Sequence, residues 1–356
     1  MESVLSAAKA AASFIPRNMQ YFRENQKKSL DTIRYLDENI HLMDYSFDYG
    51  LDKLLEKGVA NTGELVAFCC NQMTFGKKLL DMQDGEFACT TFNTVNRNGE
   101  YLLGRNFDFV DAPCMLVWTH PENGYKSLAV ADSTVMLCGK KHAPDKTRYR
   151  ALMAPYCCMD GINEKGLSIA VLELKAKATA QKTGKKPITT TVIIRAVLDK
   201  AANVEEAIEL FRSYDMQDAI FCAYHYQITD ATGRSVILEY DNNELVVVEP
   251  KNGRYQWAAN FYLTMSCDNS RGFGYDRADA VRERLAETDG VMEEAEVMAL
   301  LEQVHLNYKH KRGYQITTLW SAVYNNTTGA VTIAGGMDYT RQYRVYADQP
   351  MHVEKL

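Results

Sequence analysis

The chain has no hydrophobic run long enough to span a membrane. Its strongest short run covers residues 66–70, whereas a membrane-spanning helix needs about 20 apolar residues. The opening residues, MESVLSAAKAAASF, carry Glu2 and no basic region, so we expect no secretory signal. The sequence therefore predicts a chain without a membrane segment.

Basic residues are not in excess either. The sequence has 40 Lys and Arg against 46 Asp and Glu, which gives a formal net charge of -6. Nucleic-acid-binding domains usually carry a basic surplus, so we expect no nucleic-acid partner. An apolar fraction of 46% with 24% charged residues excludes general disorder. The length of 356 residues allows one large domain or two units.

The spacings that hold metals or nucleotides are also missing. None of the nine cysteines forms a C-x-x-C pair, and H-E-x-x-H, G-x-x-x-x-G-K-[ST] and G-x-G-x-x-G do not occur. We therefore expect no metal and no cofactor. Cys69-Cys70 and Cys157-Cys158 are adjacent pairs that suit neither zinc nor an easy disulfide. Most cysteines are expected to be buried small hydrophobic residues in a reducing cytoplasm.

The pattern of the chain changes near residue 88. Before it, residues 3–13, 18–36, 51–55 and 64–80 read as helical. After it, a hairpin is predicted to pair residues 90–95 with 100–107 around the Asn98-Gly99 turn. Further strands are predicted at residues 115–119, 127–131, 135–138, 167–174, 221–229, 235–240, 317–324 and 330–334, and helices at 190–201, 204–214, 276–286 and 293–305. Strand blocks that bracket helix pairs favour an α+β architecture of antiparallel sheets covered by helices.

Cys89 stands at the start of the first predicted strand, which is a poor position for a core residue. The hairpin returns Arg105 and Asp108 towards this strand start, so both are expected near the thiol. A neighbouring guanidinium lowers the pKa of a thiol and makes it a nucleophile at neutral pH. From the residues alone, the alternative is a surface hairpin with an Arg105–Asp108 ion pair and an inert Cys89.

No histidine lies near Cys89 in the sequence to act as its base. A cut between Ala88 and Cys89 would free an α-amine with a pKa of about 7.7–8.0, which suits removal of the thiol proton. Asp108 would then accept a hydrogen bond from this amine and orient it. The sequence thus offers a complete nucleophile, but only after cleavage.

These residues resemble the start of the mature chain in N-terminal-nucleophile (Ntn) hydrolases of the choloylglycine hydrolase group. The resemblance rests on Cys89, on Arg105 16 positions later and on Asp108 19 positions later, and it continues in residues 161–167 (GINEKGL) and 227–235 (QITDATGRS). It covers most of residues 89–335. The group includes bile salt hydrolases, penicillin V acylases, acid ceramidase and N-acylethanolamine acid amidase, and isopenicillin N acyltransferase is a relative.

The resemblance implies a four-layer αββα sandwich of two antiparallel sheets that acts as a cysteine amidase on linear amides. Asn260 best matches the family's oxyanion donor, and Arg277 best matches its late arginine. From the residues alone, the alternatives are a turn-stabilising Asn260 and an Asp276–Arg277 pair at a helix start.

Position 173 departs from bile salt hydrolases, which carry Asn where this chain has Glu173. A carboxylate cannot donate to an oxyanion unless it is protonated, so this residue argues against a bile-salt substrate. We expect Glu173 at the substrate site together with apolar side chains that line an acyl pocket, with core packing as their alternative. These apolar candidates are Phe107, Phe109, Met115 and Phe261.

The predicted division of the chain is a helical propeptide, residues 1–88, and a catalytic domain, residues 89–356. A long prefix resembles the precursors of acid ceramidase and N-acylethanolamine acid amidase, and its apolar stripes favour docking after the cut. We expect a small-molecule amide as substrate and a homo-oligomer. Two alternatives stay open: an acyltransferase, in which an amine intercepts the acyl-enzyme, and a non-catalytic scaffold protein.

Overall fold

A computed structural model describes residues 17–73, 88–110, 112–133, 148–218, 222–264, 266–310 and 313–356. The α-helices within these ranges are α1 (Arg17–Asp31), α2 (Leu51–Lys57), α3 (Thr62–Met73), α4 (Thr190–Lys200), α5 (Val204–Ser213), α6 (Tyr275–Glu287) and α7 (Glu294–Gln303). A 3-10 helix covers Arg148–Tyr156. The predicted helices at residues 190–201, 204–214, 276–286 and 293–305 correspond to α4, α5, α6 and α7.

The strands in the described residues build two large sheets and one small pair. They are β1 (Arg34–Tyr35), β2 (Ile40–Tyr45), β3 (Ala88–Val95), β4 (Tyr101–Val110), β5 (Cys114–Thr119), β6 (Ser127–Asp132), β7 (Cys158–Asn163), β8 (Ser168–Leu174), β9 (Pro187–Thr189), β10 (Asp215–Gln217), β11 (Ala223–Thr229), β12 (Ser235–Asp241), β13 (Glu244–Val248), β14 (Trp257–Ala258), β15 (Asn307–Lys309), β16 (Gln315–Asn325), β17 (Ala330–Gly335), β18 (Gln342–Tyr346) and β19 (Gln349–Lys355).

The first sheet has the order β1-β2-β5-β6-β7-β8-β11-β12-β13, and the second has the order β14-β3-β4-β16-β17-β18-β19, with β15 beside β16. Helices α4 and α5 cover the first sheet and α6 and α7 cover the second. The inner faces of the sheets pack on each other, as the contact between Arg105 of β4 and Asp160 of β7 illustrates. The result is helix, sheet, sheet, helix, which confirms the expected α+β layered sandwich.

The amino-terminal part differs from the helical segment that we expected. Strand β2 joins the first sheet, where it pairs in parallel with β5, so that sheet is not wholly antiparallel. Its Ile40, Leu42 and Met43 are fully buried. A strand buried on both faces reads as a short apolar run without alternation, so periodicity does not separate it from a helix. The helix predicted at residues 18–36 ends at Asp31.

Some predicted elements lie outside the described residues. These are the helix at residues 3–13, the strand at residues 135–138 and the second part of the helix at residues 64–80. The described part of the latter is α3. The hairpin expected around Asn98-Gly99 is formed by β3 and β4, and Gly99 has a φ of 82°, the left-handed conformation that glycine adopts readily.

Candidate active site

The β3–β4 hairpin brings the predicted nucleophile and its two partners together. Thr91 pairs with Arg105, and Ala88 pairs with Asp108, so Cys89 lies between them. Side chains alternate between the faces of a sheet. Cys89 and Arg105 therefore share the inner face, which packs on the other sheet, while Asp108 lies on the face covered by helices.

The Cys89 thiol is almost wholly removed from solvent, with 1% of the residue exposed. Burial raises the pKa of Cys89; the charge of Arg105 offsets part of this effect, and the charge of Asp108 adds to it. The two Nη atoms of Arg105 have no well-aligned hydrogen-bond acceptor among the described residues. The guanidinium of Arg105 interacts with the Cys89 thiol, but without the geometry of a regular hydrogen bond. In the uncut chain the thiol is thus protonated and shielded, with a guanidinium beside it.

Arg105 is held by Asp160, a residue that the sequence analysis did not identify. Arg105 Nε donates to Asp160 Oδ2 at 3.0 Å, and both side chains are fully buried. The same carboxylate accepts hydrogen bonds from Trp320 Nε1 at 3.1 Å and from the Tyr324 hydroxyl. The Arg105–Asp108 ion pair of the inert-hairpin alternative is not formed, because the two side chains occupy opposite faces of β4.

Asp108 belongs to a second polar group on the helix side of the sheet. Thr318 Oγ1 donates to Asp108 Oδ1, and Arg277 Nη1 lies 3.4 Å from Asp108 Oδ2. Burial raises the pKa of Asp108, whereas the charge of Arg277 and the Thr318 hydrogen bond oppose this rise. A bulge between Thr318 and Trp320 lets these two residues face opposite sides of β16.

Asn260 follows the short strand β14, and its side chain contacts the backbone of Cys89. The Cys89 amide N–H donates to Asn260 Oδ1 at 2.9 Å, and Arg277 Nη2 donates to the same oxygen at 2.8 Å. Asn260 Nδ2 donates to the Glu173 carbonyl oxygen at 2.9 Å. Asn260 is fully buried, so its side chain is fixed by partners on three different elements.

Arg277 lies in the first turn of α6 and reaches into the site. Its Nη1 donates to the Cys89 carbonyl oxygen at 2.6 Å and to Thr90 Oγ1 at 2.7 Å. Gly274, just before the helix, has a φ of 79°, and a Cβ there would lie 2.3 Å from Arg277 Nη2. The close approach requires glycine at this position. The alternative of an Asp276–Arg277 pair is therefore not adopted, since Arg277 is buried against Cys89.

The predicted pocket residues separate into two groups. Phe107 and Met115 are core residues with 1% and 2% exposure, and Phe107 stacks on Trp320 at 4.2 Å between ring centroids. Phe109 is also buried. Phe261 is half-buried and stacks on Tyr275 at 4.3 Å. Of these four candidates, only Phe261 is next to Asn260 in the chain and only partly buried.

Glu173 approaches the site through its backbone. Asp160 lies on the inner face and pairs with Ala170 of β8, so Ala170 lies on the inner face too. Because side chains alternate along a strand, Glu173 lies on the other face of β8. Its side chain is an electrostatic neighbour of Cys222 and Tyr224. The expected contact between Glu173 and a substrate stays a prediction.

Two general features of the described ranges complete the picture. Within them, no group of three or more His, Cys, Asp or Glu side chains is placed to hold a metal ion. No helix in the same part of the chain is long and apolar enough to cross a membrane.

The architecture is that of an Ntn hydrolase. Two packed sheets are covered by helices, and a buried cysteine lies on β3, the first strand of the second sheet along the chain. The fold is shared with two variants of the conjugated bile acid hydrolase from Clostridium perfringens. The TM-scores are 0.53 and 0.54 at 15% and 16% identity, and each match covers 75% of this chain and 96% of the other. The family model for linear amide C-N hydrolases, choloylglycine hydrolase family, matches residues 89–271, just over half of the chain. The chain belongs to this family.

A curated relative supports this membership. The chain is 26% identical to the penicillin V acylase of Pectobacterium atrosepticum over 190 residues, which is 49% of this chain and 49% of that protein. The chain thus matches about half the length of this relative.

Proposed function

We propose that this protein is a cysteine amidase that cleaves itself between Ala88 and Cys89 and then hydrolyses a linear amide with an apolar acyl group. The observation that carries the proposal is the convergence on Cys89 of Arg105 from the inner face, of Arg277 from the helix side and of Asn260 from the loop after β14. A structural role alone does not explain why buried charges surround a cysteine from both faces of one strand.

The first step is the cut itself. Cys89 Sγ bonds to the Ala88 carbonyl carbon, the peptide C–N bond breaks, and the thiol proton goes to the departing nitrogen. Water then hydrolyses the thioester, which leaves Ala88 with a carboxylate and restores the thiol. Asn260 accepts a hydrogen bond from the Cys89 nitrogen throughout, so the nitrogen that becomes the amine is already held.

The cut also creates the base. Before it, the Cys89 nitrogen is an amide and cannot take a proton; after it, that nitrogen is an α-amine with a pKa of about 7.7–8.0. Ala88 pairs with Asp108 across the hairpin, and the charge of Asp108 acts on Cys89; Asp108 would orient the new amine.

Turnover then repeats the chemistry on an external amide. Cys89 Sγ attacks the acyl carbon, the α-amine takes the thiol proton and passes it to the leaving amine, and water hydrolyses the acyl thioester. Asn260 Nδ2 would stabilise the oxyanion with one of its two N–H groups, the other being bound to the Glu173 carbonyl. Arg105 would stabilise the thiolate, and Arg277 would hold the Cys89 carbonyl oxygen.

The segment before the cut is proposed to remain bound as a propeptide-derived subunit. Strand β2 supplies Ile40, Leu42 and Met43 to the core, and each buried side chain of this size contributes about 1.5–3 kcal/mol. Without β2, the edge of β5 would be unpaired. We expect both fragments to elute together on size exclusion and to separate only in denaturant; separation in native buffer would contradict retention.

Trapping the acyl-enzyme tests the amidase function. Penicillin V, the substrate in the name of the relative, and long-chain N-acyl amines are offered to the cleaved protein, and the mass of the Cys89 fragment is measured after rapid acid quench. We expect an added acyl group on Cys89, lost over time in water. Cys70→Ala, in the half-exposed part of α3, is the matched control and should behave as wild type.

The same experiment separates the alternatives. If a primary amine captures the acyl group with saturation kinetics and much faster than water releases it, the acyltransferase alternative is favoured. If no acyl group ever attaches to a correctly cleaved chain across the panel, the amidase proposal fails for these substrate classes. If Cys89→Ala leaves every measured property unchanged, the scaffold alternative is favoured.

A further inference from the structure

A buried histidine–glutamate pair on the first sheet holds the loop that carries Asn260. His225 of β11 and Glu239 of β12 are both fully buried, and His225 Nδ1 lies 3.0 Å from Glu239 Oε1. His225 Nε2 lies 2.8 Å from the carbonyl oxygen of Ala259, the residue immediately before Asn260. The sequence analysis did not connect either residue to the site.

Glu239 binds the other end of the same loop. Its Oε1 accepts the Leu263 amide N–H at 2.8 Å, and its Oε2 accepts the Thr264 amide N–H at 2.9 Å and the Thr264 hydroxyl at 2.6 Å. Residues 259 and 263–264 are therefore both tied to one pair of side chains. The loop between them contains Asn260 and Phe261.

The hydrogen bonds give each polar atom of the pair a partner. The Ala259 carbonyl oxygen can only accept, so His225 Nε2 is the donor in that contact. Glu239 receives three donors from the far end of the loop, and its Oε1 also lies against His225 Nδ1. Burial acts to raise the pKa of Glu239, but the interactions with His225 and the loop donors together lower it.

We propose that His225 and Glu239 are positioning residues that set the place of Asn260 against the Cys89 nitrogen and, after cleavage, against the acyl oxygen. The proposal rests on the proposed function for its catalytic readout. The Asn260 side chain has direct contacts with Cys89 and Arg277, and its backbone forms a bridge with Phe273. The His225–Glu239 pair holds the backbone at residues 259 and 263–264, on either side of this bridge. A displacement of about 1 Å at a catalytic group can reduce rates about 100-fold.

Two substitutions at one position separate the two bonds of His225. The amide nitrogen of His225→Gln reaches the place of Nε2 and keeps the bond to Ala259, whereas that of His225→Asn reaches the place of Nδ1 and keeps the bond to Glu239. Both replace the imidazole ring with a neutral carboxamide, so they are matched in their loss of the ring. We expect His225→Gln to retain self-cleavage within about threefold and His225→Asn to slow it roughly tenfold to 100-fold.

The readouts are the rate of the 88–89 cut by intact mass and, for cleaved protein, kcat and KM for penicillin V or whichever panel amide is turned over. His225→Asn should lower kcat with little change in KM, because it displaces an oxyanion donor and not the acyl pocket. Equal losses in both variants, or no loss in either, would overturn the proposal. If neither variant folds, Thr264→Val decides: it removes one donor to Glu239 and should slow the cut about threefold, and an unchanged rate would refute the role of the pair.

Hydrogen exchange makes the test independent of the chemistry. In a Cys89→Ala background, His225→Asn should accelerate amide exchange in residues 259–264 and at position 89, and His225→Gln should do so much less. If the wild type neither cleaves nor turns over any amide but this exchange pattern is found, the proposed function fails while the positioning role stands. Unchanged exchange in both variants would reject the positioning role itself.

Discussion

Removing the negative charge of Asp160 should destabilise the fold strongly, because Arg105 would keep its charge without its counter-ion. Both side chains are fully buried, and Asp160 accepts hydrogen bonds from Arg105, Trp320 and Tyr324. Breaking one partner of such a pair typically lowers the free energy of unfolding by about 3–5 kcal/mol. We therefore expect a loss of this size for Asp160→Asn, which preserves the volume of the side chain.

The double variant decides whether the loss comes from the orphaned charge. With Arg105→Met added, no buried charge is left alone, so the double variant should be no less stable than Asp160→Asn, with a coupling energy of about 3 kcal/mol. Urea unfolding followed by tryptophan fluorescence, in a Cys89→Ala background that prevents cleavage, gives these free energies. Asp289→Asn, which breaks the exposed Arg254–Asp289 pair, is the control and should change stability by about 0.5 kcal/mol or less.

Two outcomes would refute this reasoning. A loss below about 1 kcal/mol for Asp160→Asn would mean that the site is solvated or that another group neutralises Arg105. Strictly additive effects of the two substitutions would mean that Asp160 and Arg105 do not depend on each other. Either result would remove the physical basis for Asp160 as the residue that aims Arg105 at the thiol.

Further predictions concern the thiol and the close approach of Arg277. Because burial raises the pKa of Cys89, the thiolate fraction in an uncut, Asn260→Ala chain should be small at pH 8 and increase only at higher pH. Alkylation of Cys89 by iodoacetamide, measured by peptide mass with Cys70 as internal reference, should therefore be slow. Rapid labelling at neutral pH would contradict this. Gly274→Ala should abolish or strongly slow the cut, since the new Cβ would lie 2.3 Å from Arg277 Nη2. Gly253→Ala is the control, since it has the same left-handed strain at a φ of 73° with nothing near the new Cβ. It should reduce the free energy of unfolding by about 1 kcal/mol and leave the rate of the cut unchanged. Equal cutting rates in the two variants would show that the position of Arg277 is unimportant.

The part of the site that could be predicted from the sequence is the local part. Cys89, Arg105 and Asp108 lie on one hairpin, and a turn signal together with strand alternation is sufficient to bring them near each other. The family resemblance added Asn260 and Arg277, which the fold brings to the Cys89 backbone. Local pattern and motif order were enough to predict that these five lie close together, whereas their roles in catalysis stay predictions.

The remaining residues depend on contacts that no local pattern encodes. Asp160 meets Arg105 only when the two sheets pack face to face, and His225 meets the Asn260 loop across the same interface. A clue was present in β7, where Asp160 is an ionisable residue in a mostly apolar segment. Strand β11 offers no such clue, because Gln227 and Thr229 share the face of His225. Strand β2 was missed for a related reason: its partner, β5, lies about 70 residues further along the chain.

The central claim is that Cys89 cuts the chain before it, and the intact mass of freshly purified protein tests this most directly. We predict that the wild type yields two pieces, residues 1–88 and 89–356, with Cys89 as the new amino terminus, and that Cys89→Ala stays as one chain. Cys70→Ala should cut as the wild type does. A wild-type chain that remains whole after days at mildly acidic and neutral pH, or a Cys89→Ala chain that is cut at the same bond, would contradict the account.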